Sequence, residues 1–409
     1  MTIQNAFTTG RSLITAIISK MSDIGKVQAK FISHILMLML SIRGKANFLQ
    51  FSRYGYMNEK SYRNNFETDF DWAKFNAEFI SINCSDELII GFDPSFIPKS
   101  GKKTPEIGYF YSGCKGGYER GLEIGCFSVI DVKQNTAYHY NAVQTRNEKS
   151  SDKENTLVDQ YISFFNSESL GLRGITRILV ADAYFSKKKY VSAVIKKGFE
   201  FISRLRDDAN LRYLYNGPKA GRGRPKKYDG KVDTKNIDKR RLKCEFKDDQ
   251  LTLYSGIVYS ISLGKLIKVA FVDYLDKNGS VKGSTIYFST NINRQGSKLV
   301  QYYRARYQME FNFRDAKQHT GLTNCQSVSK QKLDFHFNAT LTSINIAKAI
   351  ARKEIPANQS SPMSIHDIKT ELSNMLLMNL ILSKYRVDPK FYKNPSDLCE
   401  ILNFGKIAA

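Results

Sequence analysis

Apolar residues recur at three- and four-residue spacing over Ser12 to Met21, Lys26 to Arg43, Ala46 to Gly55 and Asn58 to Phe66, so the chain opens as helices. The texture changes at Asp86. Glu87 to Asp93 is a short apolar run ending in an acid before Pro94, which predicts a strand that stops at Asp93. Gly121 to Val132 and Thr136 to Val143 read as a hairpin turned near Gln134-Asn135. Asn155 to Phe165 is an amphipathic helix. Arg177 to Ala181 is a second apolar run closing on an acid, Asp182, with Ser186 placed to cap a helix over 187–197 and a strand following at 199–206.

A long interval then carries alternating strand-like runs at Arg241 to Phe246, Leu251 to Leu263, Leu266 to Leu275 and Ser284 to Ser289. Tyr303 to Lys317 contains no Gly or Pro and Gly321 closes it, which predicts one continuous helix. Helices follow over Asp334 to Lys353 and Met363 to Tyr385, with a linker at Pro356 to Pro362.

Charge narrows the function classes. The 409 residues include 62 Lys and Arg against 39 Asp and Glu, a net charge of +23 that calls for a polyanionic partner, nucleic acid rather than membrane. The most apolar run, Phe31 to Ile42, is too short to span a bilayer. Six scattered cysteines without a Cys-x-x-Cys pair read as reduced thiols of a cytosolic protein, which excludes a zinc knuckle or disulfide frame.

Wound as a helix, the 303–317 segment places Tyr303, Arg306, Glu310 and Lys317 on a narrow stripe beside an apolar face. A carboxylate between an Arg and a Lys is a sensible metal ligand next to phosphate-binding cations. The spacing Tyr303-x2-Arg306-x3-Glu310-x6-Lys317 resembles the signature of a group of bacterial insertion-sequence DDE transposases. With Asp93 and Asp182 at strand ends ahead of it, the resemblance covers roughly residues 85 to 350.

It implies an α/β fold, an RNase H-like mixed sheet with flanking helices, interrupted by a β-rich insertion domain and carrying helical N- and C-terminal regions. It also implies that Asp93, Asp182 and Glu310 are catalytic and hold two Mg²⁺ ions (Mn²⁺ as substitute), with Arg306 and Lys317 clamping phosphates and Tyr303 against the substrate strand. The expected activity is cut-and-paste movement of an element by hydrolysis and strand transfer on double-stranded DNA, both terminal inverted repeats and target. A synaptic homodimer, often a hairpin intermediate, no membrane and a cytoplasmic, nucleoid-associated bacterial setting go with it.

The expected units are 1–84 for DNA-end binding, 85–206 and 284–355 for the catalytic fold, 207–283 for the insertion and 356–409 for a helical region suited to dimerisation. The helices about Gly55 are compatible with a helix-turn-helix offering Lys60, Arg63, Asn64 and Asn65 to a groove, and equally with an ordinary bundle. The loop after Asp93 offers Lys99, Lys102 and Lys103 to phosphates. Arg222-Gly-Arg-Pro225 looks like an AT-hook, or else like a basic hairpin gripping phosphates, through Arg222 and Arg224. Tyr287 is a candidate platform for an unstacked base. Two other readings stay open: a non-mobile RNase H-like nuclease, and a catalytically inactive transposase-derived DNA-binding protein.

Overall fold

The computed structural model describes residues 6–113, 115–146, 156–218, 221–354, 364–386 and 395–407, and the linker expected at 356–362 lies outside them. The sheet begins with β1 (Leu88–Pro98), β2 (Gly108–Ser112), β3 (Gly117–Asp131) and β4 (Thr136–Gln144), then α6 (Leu157–Ile175), β5 (Ile178–Ala181), α7 (Lys188–Lys196) and β6 (Glu200–Leu205). In space the order is β2-β3-β1-β5-β6, with β4 also paired to β3. β1, β3 and β4 run antiparallel, and β5 and β6 join β1 in parallel. This is the RNase H-like arrangement. The β3–β4 turn is where the sequence placed it, with Asn135 in the left-handed region at φ 49°. Beneath the sheet Phe92 packs against Phe127, Tyr161, Phe185 and Tyr190.

The insertion extends this same sheet. β7 (Leu211–Leu214), β8 (Tyr228–Lys231), β9 (Lys243–Lys247), β10 (Leu251–Ser260), β11 (Lys265–Leu275) and β12 (Val281–Ser289) follow, and β12 pairs antiparallel with β6. The boundary expected at 283/284 therefore falls inside β12.

Helices α1 (Ala6–Ile18), α2 (Lys26–Ser41), α3 (Phe48–Tyr54), α4 (Glu59–Asn65) and α5 (Trp72–Asn83) form the helical start of the chain. Past the insertion come α8 (Gly296–Ala305), α9 (Gln308–Asp315), α10 (Lys330–Glu354), α11 (Ile365–Tyr385) and α12 (Pro395–Asn403). α10 shields β4, whose outer edge has no strand partner among the described residues. Asn345 Oδ1 accepts from His139 N at 2.8 Å and its amide donates to His139 O at 2.8 Å. Asn338 repeats the pattern on Ala142 N and O, both at 2.9 Å. Two buried asparagines thus complete the edge as a neighbouring strand would.

The segment expected as one helix from Tyr303 to Lys317 is instead broken twice. Arg306 N, Tyr307 N, Met309 N and Glu310 N each donate to the carbonyl three residues back, which makes a 3₁₀ turn between α8 and α9. A π turn over Ala316–Thr320 then ends at Gly321, φ 79°. Ser186 is not the expected helix cap: its hydroxyl donates to Arg204 O at 2.8 Å and Ser203 Oγ at 3.0 Å, tying the turn after β5 to β6.

Candidate active site

The β1–β5 ladder ends at the pair Phe92–Ala181. Asp93 and Asp182 are the next residues on the two strands, so both carboxylates leave the sheet side by side where the parallel partner gives out. The strand was expected to stop at Asp93, but β1 continues to Pro98 because β3 goes on pairing with it, Pro94 opposite Gly125. Past Phe92, β1 has a partner on one side only, and proline is tolerated on such an edge. Asp182 accepts from Tyr184 N at 2.9 Å, which fixes one of its oxygens at the start of a short 3₁₀ turn.

Glu310 reaches the same place from α9. Gly91 shares a sheet face with Asp93, and a Cβ there would stand 2.2 Å from Met309 Sδ. The missing side chain therefore lets Met309 seat against β1 and brings its neighbour Glu310 over the strand ends. Behind α9, the buried Lys348 ammonium donates to Asn312 Oδ1 at 2.5 Å and Ala137 O at 2.8 Å, tying the helix to the β4 edge.

Arg306 joins the acids. Its guanidinium stands 3.6 Å from Asp93 Oδ2 and 3.3 Å from Glu310 Oε1. The 3₁₀ turn explains its alignment with Tyr303, since residues three apart eclipse in that geometry; the cation lies 5.9 Å from the Tyr303 ring centre. Burial pushes the Asp93 carboxyl up to about 7, against the opposing pull of Arg306 and with further upward pressure from Asp182, Glu310 and Glu123. Burial acts to lower the Arg306 value, yet Asp93, Tyr303, Glu310 and Asp182 together raise it. Arg306 Nε is buried without a hydrogen-bond partner among the described residues.

The donor set suits a hard divalent cation, since three carboxylates supply oxygen ligands only. As they stand, no three His, Cys, Asp or Glu side chains among the described residues are gathered closely enough to hold an ion. Arg306 bridges two of the acids instead.

Glu123 on β3 went unnoticed in the sequence. It is buried, accepts from Tyr161 Oη at 2.6 Å and Thr145 Oγ1 at 3.0 Å, and bears on Asp93. The visible signal is a carboxylate between Leu122 and Ile124 in an otherwise apolar stretch.

The remaining expected residues divide. Lys317 is half-buried on the π turn, about two turns beyond Glu310. Lys99 does not reach out from its loop: its ammonium is half-buried and donates to Cys325 O, whereas Lys102 and Lys103 are exposed. Lys60 is exposed; Arg63 is exposed but occupied, 2.5 Å from Glu59 and 4.8 Å from the Phe48 ring centre. Arg222 and Arg224 are exposed between β7 and β8, between glycines at φ 65° and 126° in the case of Arg222. Tyr287 is not an open platform. It is 6% exposed, packs on Tyr303 with ring centres 4.9 Å apart, and lies 3.3 Å from the Tyr274 hydroxyl.

No helix among the described residues is long and apolar enough to cross a membrane. No individual curated protein matches the chain. A family model described as "Transposase DDE domain" matches residues 85–346, well over half of the chain. That span runs from just before β1 into α10 and takes in both strand-end aspartates and Glu310, so the chain belongs to the DDE transposase family.

Proposed function

We propose that this transposase moves an insertion sequence by cut-and-paste, cutting double-stranded DNA at the element's terminal inverted repeats and joining the freed ends to a target. The observation that carries this reading is the pair Asp93 and Asp182 at the place where the β1–β5 ladder opens, with Arg306 bridging Asp93 to Glu310. Crevices beyond the carboxyl ends of parallel strands are where open α/β sheets bind their ligands.

The three carboxylates would hold two divalent ions, Mg²⁺ or Mn²⁺. Bound there, the ions would activate the attacking oxygen and neutralise charge on the leaving one. Arg306 would contribute its unpartnered Nε to a non-bridging phosphate oxygen and release Glu310 for metal binding. Tyr303, held by Tyr287, fixes that arginine's position from one side. Lys317, Lys102, Lys103, Lys60, Arg63, Arg222 and Arg224 would grip the duplex outside the cut, with residues 1–84 reading the end sequence. Residues 356–409 would pair two copies in the synaptic complex.

The test mixes the purified protein with DNA bearing the inverted repeats that flank its gene, with Mg²⁺ or with a chelator. Metal-dependent breaks at the repeat ends are expected. Cutting of RNA–DNA hybrids with no preference for those ends would replace this reading with the nuclease one. Binding without any cutting would leave a DNA-binding protein.

A further inference from the structure

The hairpin of β2 and the start of β3 has two unlike faces. Phe110 and Ser112 are buried, while Tyr109, Tyr111 and Tyr118 are 67%, 57% and 75% exposed. Alternation puts Tyr109 and Tyr111 on one side of β2. The register sets Tyr111 opposite Tyr118 and Tyr109 opposite Arg120, so three tyrosines and an arginine share that side. The Tyr111 and Tyr118 rings meet edge to face at 6.0 Å. β2 is the terminal strand at this end of the sheet.

Three exposed rings on an edge hairpin need a partner, since such a surface otherwise invites aggregation. The charge around them selects its class. Arg120 is exposed on the same side, Lys102 and Lys103 are exposed in the segment that leads into β2, and the chain carries a net charge of +23, so the partner is anionic. Lysine and arginine alone suffice for duplex phosphates, whose bases hide their faces in the stack. Unpaired bases offer phosphates and flat apolar faces together, which is what this surface matches.

We propose that the β2–β3 hairpin is a stacking platform for unpaired DNA bases beside the cut. The inference rests on the cutting role assigned above to Asp93. Cys126, opposite Asp93 in the ladder, lies six residues along β3 from Arg120. At about 3.3 Å per residue that is roughly 20 Å, the length of about six stacked nucleotides. DNA held at the acids reaches the tyrosines within that distance.

The test compares binding, without metal, of a blunt duplex and of the same duplex carrying a single-stranded tail. Wild type should prefer the tailed DNA by about tenfold or more, and the triple variant Tyr109→Ser, Tyr111→Ser, Tyr118→Ser should lose that preference while binding the blunt duplex unchanged. The triple Phe variant, which keeps the rings, should retain it. A Ser variant that still prefers the tail overturns the platform, as does equal weakening on both DNAs or a wild type indifferent to the tail. A wild type that binds neither DNA would instead overturn the transposase reading on which the platform rests.

Discussion

Asp93 and Asp182 each sit one residue beyond Phe92 and Ala181, the last pair of the parallel β1–β5 ladder. Asp93 has Arg306 beside it and Asp182 bearing on it, and its burial carries a cost. Its carboxyl stays protonated in the folded chain up to about pH 7, whereas an unfolded aspartate ionises near pH 4. Between those values the unfolded state binds fewer protons, so this group makes stability fall as pH rises from about 4 to about 7. Asp93→Asn removes that fall. Thermal melts of the metal-free protein should show the variant a few degrees more stable at pH 8 and nearly unchanged at pH 4. Equal melting temperatures at both pH values would show that Asp93 ionises freely.

The Gly91–Met309 contact sets the height of α9 over the strand ends. Gly91→Ala places a carbon 2.2 Å from Met309 Sδ, so α9 must shift. Overpacking of this kind costs about 1–3 kcal/mol. Cleavage should fall at least tenfold with little change in DNA binding, and adding Met309→Ala should restore part of it. Full activity of the Gly91→Ala protein would mean that Glu310 is not positioned by this contact.

Asn345 closes the β4 edge through both its amide oxygen and its nitrogen. Asn345→Ala leaves a buried N–H and a buried carbonyl of His139 without partners, a loss of about 2–4 kcal/mol at roughly 1–2 kcal/mol each. Denaturant unfolding measures it. A loss under about 0.5 kcal/mol would show that water replaces the amide.

Glu245 on β9 ties the insertion to the helix that leads into the site. Its carboxylate accepts from Gly296 N at 3.1 Å and Ser297 N at 2.9 Å, the first turn of α8, and also from Ser255. Glu245→Gln keeps the shape and removes the charge at a helix N-terminus, a cost of about 0.3–1 kcal/mol. The variant should melt slightly lower and cut more slowly while binding DNA normally. If deleting the charge leaves both melting and cutting untouched, the insertion does not steady α8 in this way.

Much of this was legible because period and strand-end chemistry are local. The apolar runs closing on Asp93 and Asp182 are strands, and the RNase H-like order follows from them. What escaped depends on neighbours. Pro94 reads as a stop, yet β3 carries the strand past it. Tyr303 to Lys317 has no helix breaker, so the 3₁₀ and π turns that aim Arg306 and shape the end of α9 left no mark in composition. β2, β7 and β8, four or five residues each, are too short for alternation to register. Tyr287 reads as an exposed aromatic on a strand, yet it packs against Tyr303 from α8 and against Tyr274, which leaves it buried. Lys99 looks like a loop cation until Cys325, far along the chain, supplies a carbonyl for it.

The most direct measurement is cleavage by Glu310→Gln of DNA bearing the element's ends, run with Mg²⁺ beside a binding assay on the same DNA. Glu310 is the acid furthest in sequence from the other two, and only the fold delivers it, together with Arg306 four residues before it, to Asp93. The neutral amide preserves size and can still meet the guanidinium, so folding and binding should persist while cleavage falls by about a thousandfold or more, the scale on which loss of a metal-held charge acts. Cleavage within a few-fold of wild type would contradict the assignment of Glu310 to the site.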